Sequence, residues 1–237
     1  MPFIAAKNKQ MSLLLNIDTA LDTACVSIAK DGRILQEAVN NNQKDHAAFL
    51  QPAIQLILKN ANLTLQEIDA IAVVEGPGSY TGLRVGMASA KGLCFALNKP
   101  LLTVGTLDVL AWQAINQLKI IQIDTPTLFC PMIDARRMEV FTGVYDMALN
   151  ALLLPCTVIV EKKSFTNLLL KNKIIFFGNG SAKWEQLCDN ENALFCELKN
   201  NTLYMSELSF KKYLKNEFAD IAYIEPLYVK EFYSNTV

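Results

Sequence analysis

A chain of 237 residues with 51% hydrophobic and 19% charged side chains has enough apolar material for a sizeable core, as one domain or as two half-sized lobes. Its 22 basic and 23 acidic residues leave a formal charge of −1, so no strong field draws a phosphate backbone or an anionic membrane to it. The longest apolar runs are interrupted by Asp108 and Pro155 and fall short of the roughly 20 residues a membrane helix needs. The opening Met1–Lys7 has no long apolar core of a secretory signal, which predicts a cytoplasmic protein. Six cysteines without C-x-x-C spacing read as packed thiols. With His46 the single histidine, zinc-finger and H-E-x-x-H sites lack ligands.

Residues 1–11 read as a frayed extension, because the first strand begins at Leu13, just after a Met-Ser pair at Met11. Leu13–Asp18, Ala24–Ala29 and Arg33–Val39 form three short β-like runs, the last two joined by the turn Lys30-Asp31-Gly32. Asp45 is placed to cap a helix with apolar positions at Phe49, Leu50, Ala53, Ile54 and Ile57, with Pro52 kinking it or marking its first turn. A buried strand over Ile68–Val74, a glycine-rich turn and a helix over Gly82–Leu97 follow, and a right-handed crossover makes that strand parallel to its neighbour. Leu101–Val104 reads as a strand and Thr106–Gln117 as a helix. Gln122–Pro126 then breaks the pattern, dividing an N-terminal lobe at 12–124 from a C-terminal lobe at 125–237. The second half opens with another meander, over Leu128–Asp134, Glu139–Asp146 and Cys156–Val160, which suggests duplication. It continues in alternating helix and strand at Phe165–Leu170, Ile174–Phe177, Ser181–Cys188 and Tyr204–Asn216.

The most distinctive segment is Glu75–Gly86, EGPGSYTGLRVG, set between a buried strand and a helix. Gly76 and Gly78 allow tight backbone geometry, while Ser79 or Thr81 is placed to cap a helix whose free N–H groups would hold an anion. The run lacks the lysine of a P-loop and the spacing of a dinucleotide fingerprint, so a simple capped turn is the equal alternative. Gly82, Gly86 and Ala90, with Ser89 and Gly92 nearby, make a small-residue stripe suited to close packing, either on the His46–Asn60 helix or on a partner chain.

On Ile17-Asp18-Thr19-Ala20, the GPGSYTGLRVG run, Lys99-Pro100-Leu101, Asp134–Val140 and Pro226–Lys230, the chain resembles the TsaB (YeaZ) family nearly end to end. The resemblance implies an α/β, two-lobed fold of the actin, Hsp70 and sugar-kinase (ASKHA) type with duplicated mixed-sheet lobes. It implies a non-catalytic partner of TsaD, which forms threonylcarbamoyladenosine beside the anticodon of tRNA. It also implies TsaE as a further partner, tRNA reached through the complex, a homodimer in isolation, and no membrane contact. Family-motif residues are then Gly76, Pro77, Gly78, Ser79 and Thr81, and the docking face comprises His46, Phe49, Leu50, Ala53, Ile54, Ile57, Gly82, Arg84, Gly86, Ser89 and Ala90. Active ATPases of the fold carry an Asp and a close-approach glycine in each of two phosphate turns. Here Ala20 and Arg136 replace those glycines, and Gly178-Asn179-Gly180 is a remnant adenosine loop. The H-x-x-x-H metal pair of TsaD falls on Thr106 and Leu110. Hence no metal, no catalytic residue and no cofactor held by this chain alone are expected, with ADP or ATP at the TsaD interface. A kinase of the same superfold and a peptidase acting on TsaD or on glycoproteins are the rival readings, and both require site residues not found here.

Overall fold

The computed structural model describes residues 11–42, 45–118, 127–198 and 202–230. One order of elements occurs twice in it: a three-strand meander, then helix, strand, helix, strand, helix. The first pass is β1 (Leu13–Asp18), β2 (Ala24–Lys30), β3 (Arg33–Asn40), α1 (His46–Ala61), β4 (Ala70–Gly76), α2 (Tyr80–Leu97), β5 (Leu101–Gly105) and α3 (Thr106–Gln117). The second is β6 (Thr127–Asp134), β7 (Glu139–Tyr145), β8 (Ala151–Ile159), α4 (Thr166–Leu169), β9 (Lys173–Phe177), α5 (Ser181–Glu185), β10 (Ala193–Phe195) and α6 (Leu203–Leu214). The strands form two five-stranded sheets in matching orders, β3-β2-β1-β4-β5 and β8-β7-β6-β9-β10, antiparallel in the meander and parallel beyond it. This is the duplicated, two-lobed mixed-sheet architecture that the sequence resemblance implies.

Local chemistry accounts for the element ends. The β2–β3 turn places Asp31 and Gly32 at φ 52° and 78°, the left-handed pair a tight hairpin demands. Asn62 and Asn98 close α1 and α2 in the same left-handed geometry. Ser79 caps α2, accepting the Gly82 N–H at 3.3 Å. Asp45 makes no side-chain cap on α1, and Pro52 lies inside that helix on its exposed side.

On one side of the first sheet, α1 and α2 bury Leu50, Ile54, Ile57, Met87 and Ala90 against Ile17, Val26 and Val73. On the other side, α6 buries Tyr204, Met205 and Leu208 against Leu14, Ala70 and Val104. The placement of α6 departs from the lobe division at residue 124, a position that itself lies outside the described residues, as do residues 1–10. A buried polar cluster holds α6 in place: Ser209 Oγ donates to Asn16 Oδ1 at 2.6 Å, and Asn16 Nδ2 donates to Ser206 at 3.2 Å and to Ser27 at 3.4 Å. Helix α3 is wedged between the two sheets, with Leu107 and Ala111 on Ile133 and Tyr145, and Ala114 and Ile115 on Phe129 and Phe177. The Tyr145 hydroxyl donates to Asp108 at 2.8 Å, and Trp112 Nε1 donates to Glu207 at 2.7 Å.

The glycine run seats α2 on the β1–β2 turn. A Cβ at Gly82 would stand 2.0 Å from the Thr19 carbonyl oxygen, one at Gly86 2.4 Å from Thr19 Oγ1, and one at Gly78 2.3 Å from the Ala20 carbonyl oxygen. The Ser79 N–H donates to Ala20 O at 2.7 Å, and Thr19 Oγ1 donates to Gly82 O at 2.7 Å. The small stripe therefore serves the turn beneath α2, and α1 is packed beside it by larger side chains.

Gly82→Ala should destabilise the protein by about 3 kcal/mol or more, because backbone atoms have to move to admit the methyl group. Gly92→Ala, where an added Cβ meets nothing within 4 Å, should stabilise it by about 0.5–1 kcal/mol through helix propensity. Urea unfolding of both variants checks the contrast. The same assay should show Ser209→Ala losing about 1–3 kcal/mol, since the Asn16 carbonyl oxygen is left buried without its donor.

Candidate functional site

A cleft of about 920 Å³ separates the lobes and draws its walls from both halves of the chain. The β1–β2 turn (Ala20–Asp22) and the turn before α2 (Pro77–Thr81) face the β6–β7 turn (Ile133–Arg137) and Asn179. Leu227–Lys230 crosses the cleft as a strap. Leu227 N–H donates to Glu75 O at 2.7 Å, and the Tyr228 hydroxyl accepts from Arg84 Nε at 3.0 Å, with the Arg84 guanidinium 3.8 Å from the Tyr80 ring centroid. On the far lobe, Thr157 Oγ1 donates to Val229 O at 3.1 Å and Lys230 pairs with Glu139. One short segment thus binds both lobes.

The two turns that would face phosphates are occupied by the protein's own groups. The Ala20 carbonyl takes the Ser79 N–H, and Asp18 Oδ1 accepts from the Ala20 N–H at 3.0 Å. Burial pushes the Asp18 carboxyl up to about 6, against the smaller opposing effects of that N–H and of nearby His46. In the second turn, Lys183 reaches Asp134 at 2.8 Å and the Glu139 carbonyl at 3.0 Å. Desolvation raises Asp134, but Lys183 and the Arg136 N–H outweigh it and hold this carboxyl below the usual carboxylate range. Arg136 and Arg137 adopt φ values of 70° and 48°, left-handed geometry without glycine, and both side chains are exposed. Asn179 Oδ1 accepts the Asp134 N–H at 2.9 Å, which makes the Gly178–Gly180 loop a brace for this turn.

The structure divides the sequence-predicted docking residues into two sets. Leu50, Ala53, Ile54, Ile57, Gly82, Gly86 and Ala90 are buried inside the lobe, with Ile54 2% and Ala90 0% exposed, so they form the floor beneath the helices. A charge at Ile54 or Ala90 would therefore disrupt the core itself and not only a docking surface. Phe49 and Ser89 are half-buried, and Arg84 and Thr81 are exposed. His46 is buried, and its Nε2 lies 2.9 Å from the Leu21 carbonyl, which ties α1 to the loop after β1. Gly76 and Pro77 are buried, and Pro77, Gly78 and Ser79 all line the cleft. Gly92 of the small-residue stripe is exposed, and so are residues that the sequence reading did not single out: Leu56 (53% exposed) on α1, and Ala88, Phe95 (84% exposed) and Ala96 on α2. Their positions opposite the buried stripes of each helix are the signal that would have found them.

Thr106 is buried with its hydroxyl unpartnered, and Leu110 packs against the interlobe core. Among the described residues, no group of three or more His, Cys, Asp or Glu side chains is arranged to hold a metal. Nor is any described helix long and apolar enough to cross a membrane.

Comparison with known proteins places this geometry. Residues 33–224 match the family model described as "TsaD: tRNA N6-adenosine threonylcarbamoyltransferase". The chain is 32% identical over 133 residues to the tRNA threonylcarbamoyladenosine biosynthesis protein TsaB of Bacillus subtilis, a match that spans 56% of this chain and about half (55%) of that relative. It is 29% identical over 192 residues to the TsaB of Buchnera aphidicola subsp. Schizaphis graminum, covering 79% of this chain and 86% of the relative. A crystal structure from Pseudomonas aeruginosa, described as an uncharacterized protein with similarity to peptidase YeaZ, superposes with a TM-score of 0.79 at 25% identity over 92% of this chain and all of that one. The chain belongs to the TsaD-type family, and among curated proteins it is similar to the TsaB (YeaZ) proteins.

Proposed function

We propose that this chain is a partner subunit in tRNA threonylcarbamoyladenosine biosynthesis, not a catalyst on its own. It dimerises with TsaD through the α1–α2 face and supports threonylcarbamoyl transfer to the adenosine beside the anticodon. The carrying observation is that face: Phe95 and Leu56 are large, apolar and exposed, with the small exposed residues Ala88, Gly92 and Ala96 along α2 and polar Gln51, Gln55, Lys59 and Arg84 around them, while the opposite stripes of both helices are used in the core. Small residues let another helix pair approach closely, and Phe95 supplies an apolar anchor of the kind that dominates interface energies. In isolation the same face makes a homodimer of two copies, and the assembly works in the cytoplasm with TsaE and with tRNA as the complex's substrate.

The cleft supports the same reading. With Ala20 closed onto Ser79, Asp134 paired with Lys183 and Arg136 in the second turn, the chain holds no nucleotide by itself. ADP or ATP, where it enters, sits at the interface with TsaD.

Phe95→Asp combined with Leu56→Glu should keep the monomer folded and abolish co-elution with TsaD on gel filtration. Modification of tRNA by TsaD, TsaE and the adenylate-forming enzyme should require the wild-type chain and fail with the double variant. Equal modification without the chain would refute the partner role.

Asp18 gives a second test, of the closed first turn. Its folded-state pKa near 6 exceeds the ordinary carboxylate value, so the native state holds a proton that the unfolded chain releases. Stability therefore falls as pH rises from about 4 to 6, and the full cost is present above that. Asp18→Asn, which keeps an acceptor for the Ala20 N–H, should raise stability by about 1–2 kcal/mol at pH 7.5 and leave it unchanged near pH 4. Denaturant titrations at the two pH values measure the difference.

A further inference from the structure

Beyond α6 the chain runs back along α2 before it crosses the cleft. Ala219 N–H donates to Leu101 O at 2.8 Å, just past the C-terminal end of that helix, and Ile221 and Ile224 pack onto the core that α2 shares with the first sheet. Lys91 Nζ then donates to the Ile224 carbonyl at 2.9 Å, and Arg84 Nε to the Tyr228 hydroxyl at 3.0 Å. Lys91 and Arg84 are two turns apart on one side of the helix. Gly76 gives the crossing strap its seat, since a Cβ there would stand 2.7 Å from Leu227 O.

Arg84 belongs to two surfaces at once. Along α2 it begins the exposed row Arg84, Ala88, Gly92 and Ala96, spaced by one turn each and so forming a single ridge. That ridge, with Phe95 beside it, is the docking face of the preceding section. Arg84 also holds the strap. Its guanidinium lies 3.8 Å from the Tyr80 ring centroid and 5.9 Å from that of Tyr228, and the two rings are 5.5 Å apart. These three side chains make a block at one end of a ridge otherwise built of small residues. A helix laid close along Ala96, Gly92 and Ala88 runs into that block. Past Tyr228, the strap is fixed to the other lobe by Thr157 Oγ1 on Val229 O and by Lys230 with Glu139.

We propose that the strap is a clasp between the lobes which docking on the α2 ridge releases. The proposal rests on the reading of the α1–α2 face as the site for TsaD. In the clasped state Arg84 is committed to Tyr228 and Tyr80, and Tyr228 carries the strap across the cleft. In the released state the partner displaces the block, Arg84 turns to the partner, and the strap loosens from the first lobe. The Arg84–Tyr228 bond is at the surface, where both groups regain water when it opens, so the exchange is cheap. Docking and release are then linked, and whatever weakens the clasp strengthens docking by the same factor.

The far-lobe anchors give the test, because neither Thr157 nor Lys230 lies on α1 or α2. Thr157→Val combined with Lys230→Met should tighten binding of TsaD about fivefold, read by fluorescence anisotropy of the labelled full chain at a concentration where it is monomeric. Tyr228→Phe, which keeps the ring and removes the acceptor for Arg84, should also tighten it. Reciprocally, saturating TsaD should speed hydrogen exchange at the Leu227 amide, which Glu75 O protects in the free chain. Unchanged affinity of the double variant, or undiminished protection of Leu227 in the complex, overturns the clasp and leaves the docking face standing. Failure of the wild-type chain to bind TsaD overturns both.

Discussion

The contact of α2 with the β1–β2 turn is the constraint on which the functional surfaces depend. Two backbone carbonyls, Thr19 and Ala20, sit where Cβ atoms of Gly82 and Gly78 would be, and two hydrogen bonds lock the approach. This contact sets the height and rotation of α2, and with it the direction in which Phe95 points. It also fills the first phosphate turn with protein atoms. A single packing solution therefore fixes the β1–β2 turn and the outward face of α2 together, and any side chain on this ridge opposes both.

The second organising feature is the use of closing helices across the repeat. Helix α3 ends the first half yet lies between both sheets, and α6 ends the second half yet covers the first sheet. Buried serines and an asparagine would be costly anywhere they were not mutually satisfied. Placed on α6 and on the sheet, they specify which helix lies where, a role that apolar packing alone performs with less discrimination. The strap from Leu227 to Lys230 then closes the chain over the cleft, bonding to both lobes. In an actin-like frame, whose lobes meet at a cleft, such ties oppose opening and favour a body that offers fixed faces.

The candidate site was legible in unequal parts. The GPGSYTGLRVG run announced itself in sequence, and Ser79 does cap the helix as one of two candidates. What the run is for was not legible, because an anion cradle and a turn-packing ridge require the same small residues, and only the Thr19 and Ala20 carbonyls distinguish them. The docking residues failed in the opposite sense. Periodicity correctly grouped Leu50, Ala53, Ile54 and Ile57 on one face, but that face lies against the sheet. The outward residues Leu56 and Phe95 stand opposite the buried stripes, and being apolar themselves they blur the contrast by which the inner face is recognised.

The sequence by itself determined most of the elements, though not β10 or the start of β8, together with the meander that opens each half, the parallel pairing of β4 and the family, because turn residues, helical spacing and contiguous motifs are local properties. Tertiary structure alone decided where α6 lies, that Ser79 and Lys183 bond into the β1–β2 and β6–β7 turns, and that His46 serves the loop after β1. Those facts rest on contacts between residues far apart in the chain, up to 193 positions for Asn16 and Ser209. No periodicity or propensity within a window carries them, since their energy arises only when the folded backbone brings the groups together.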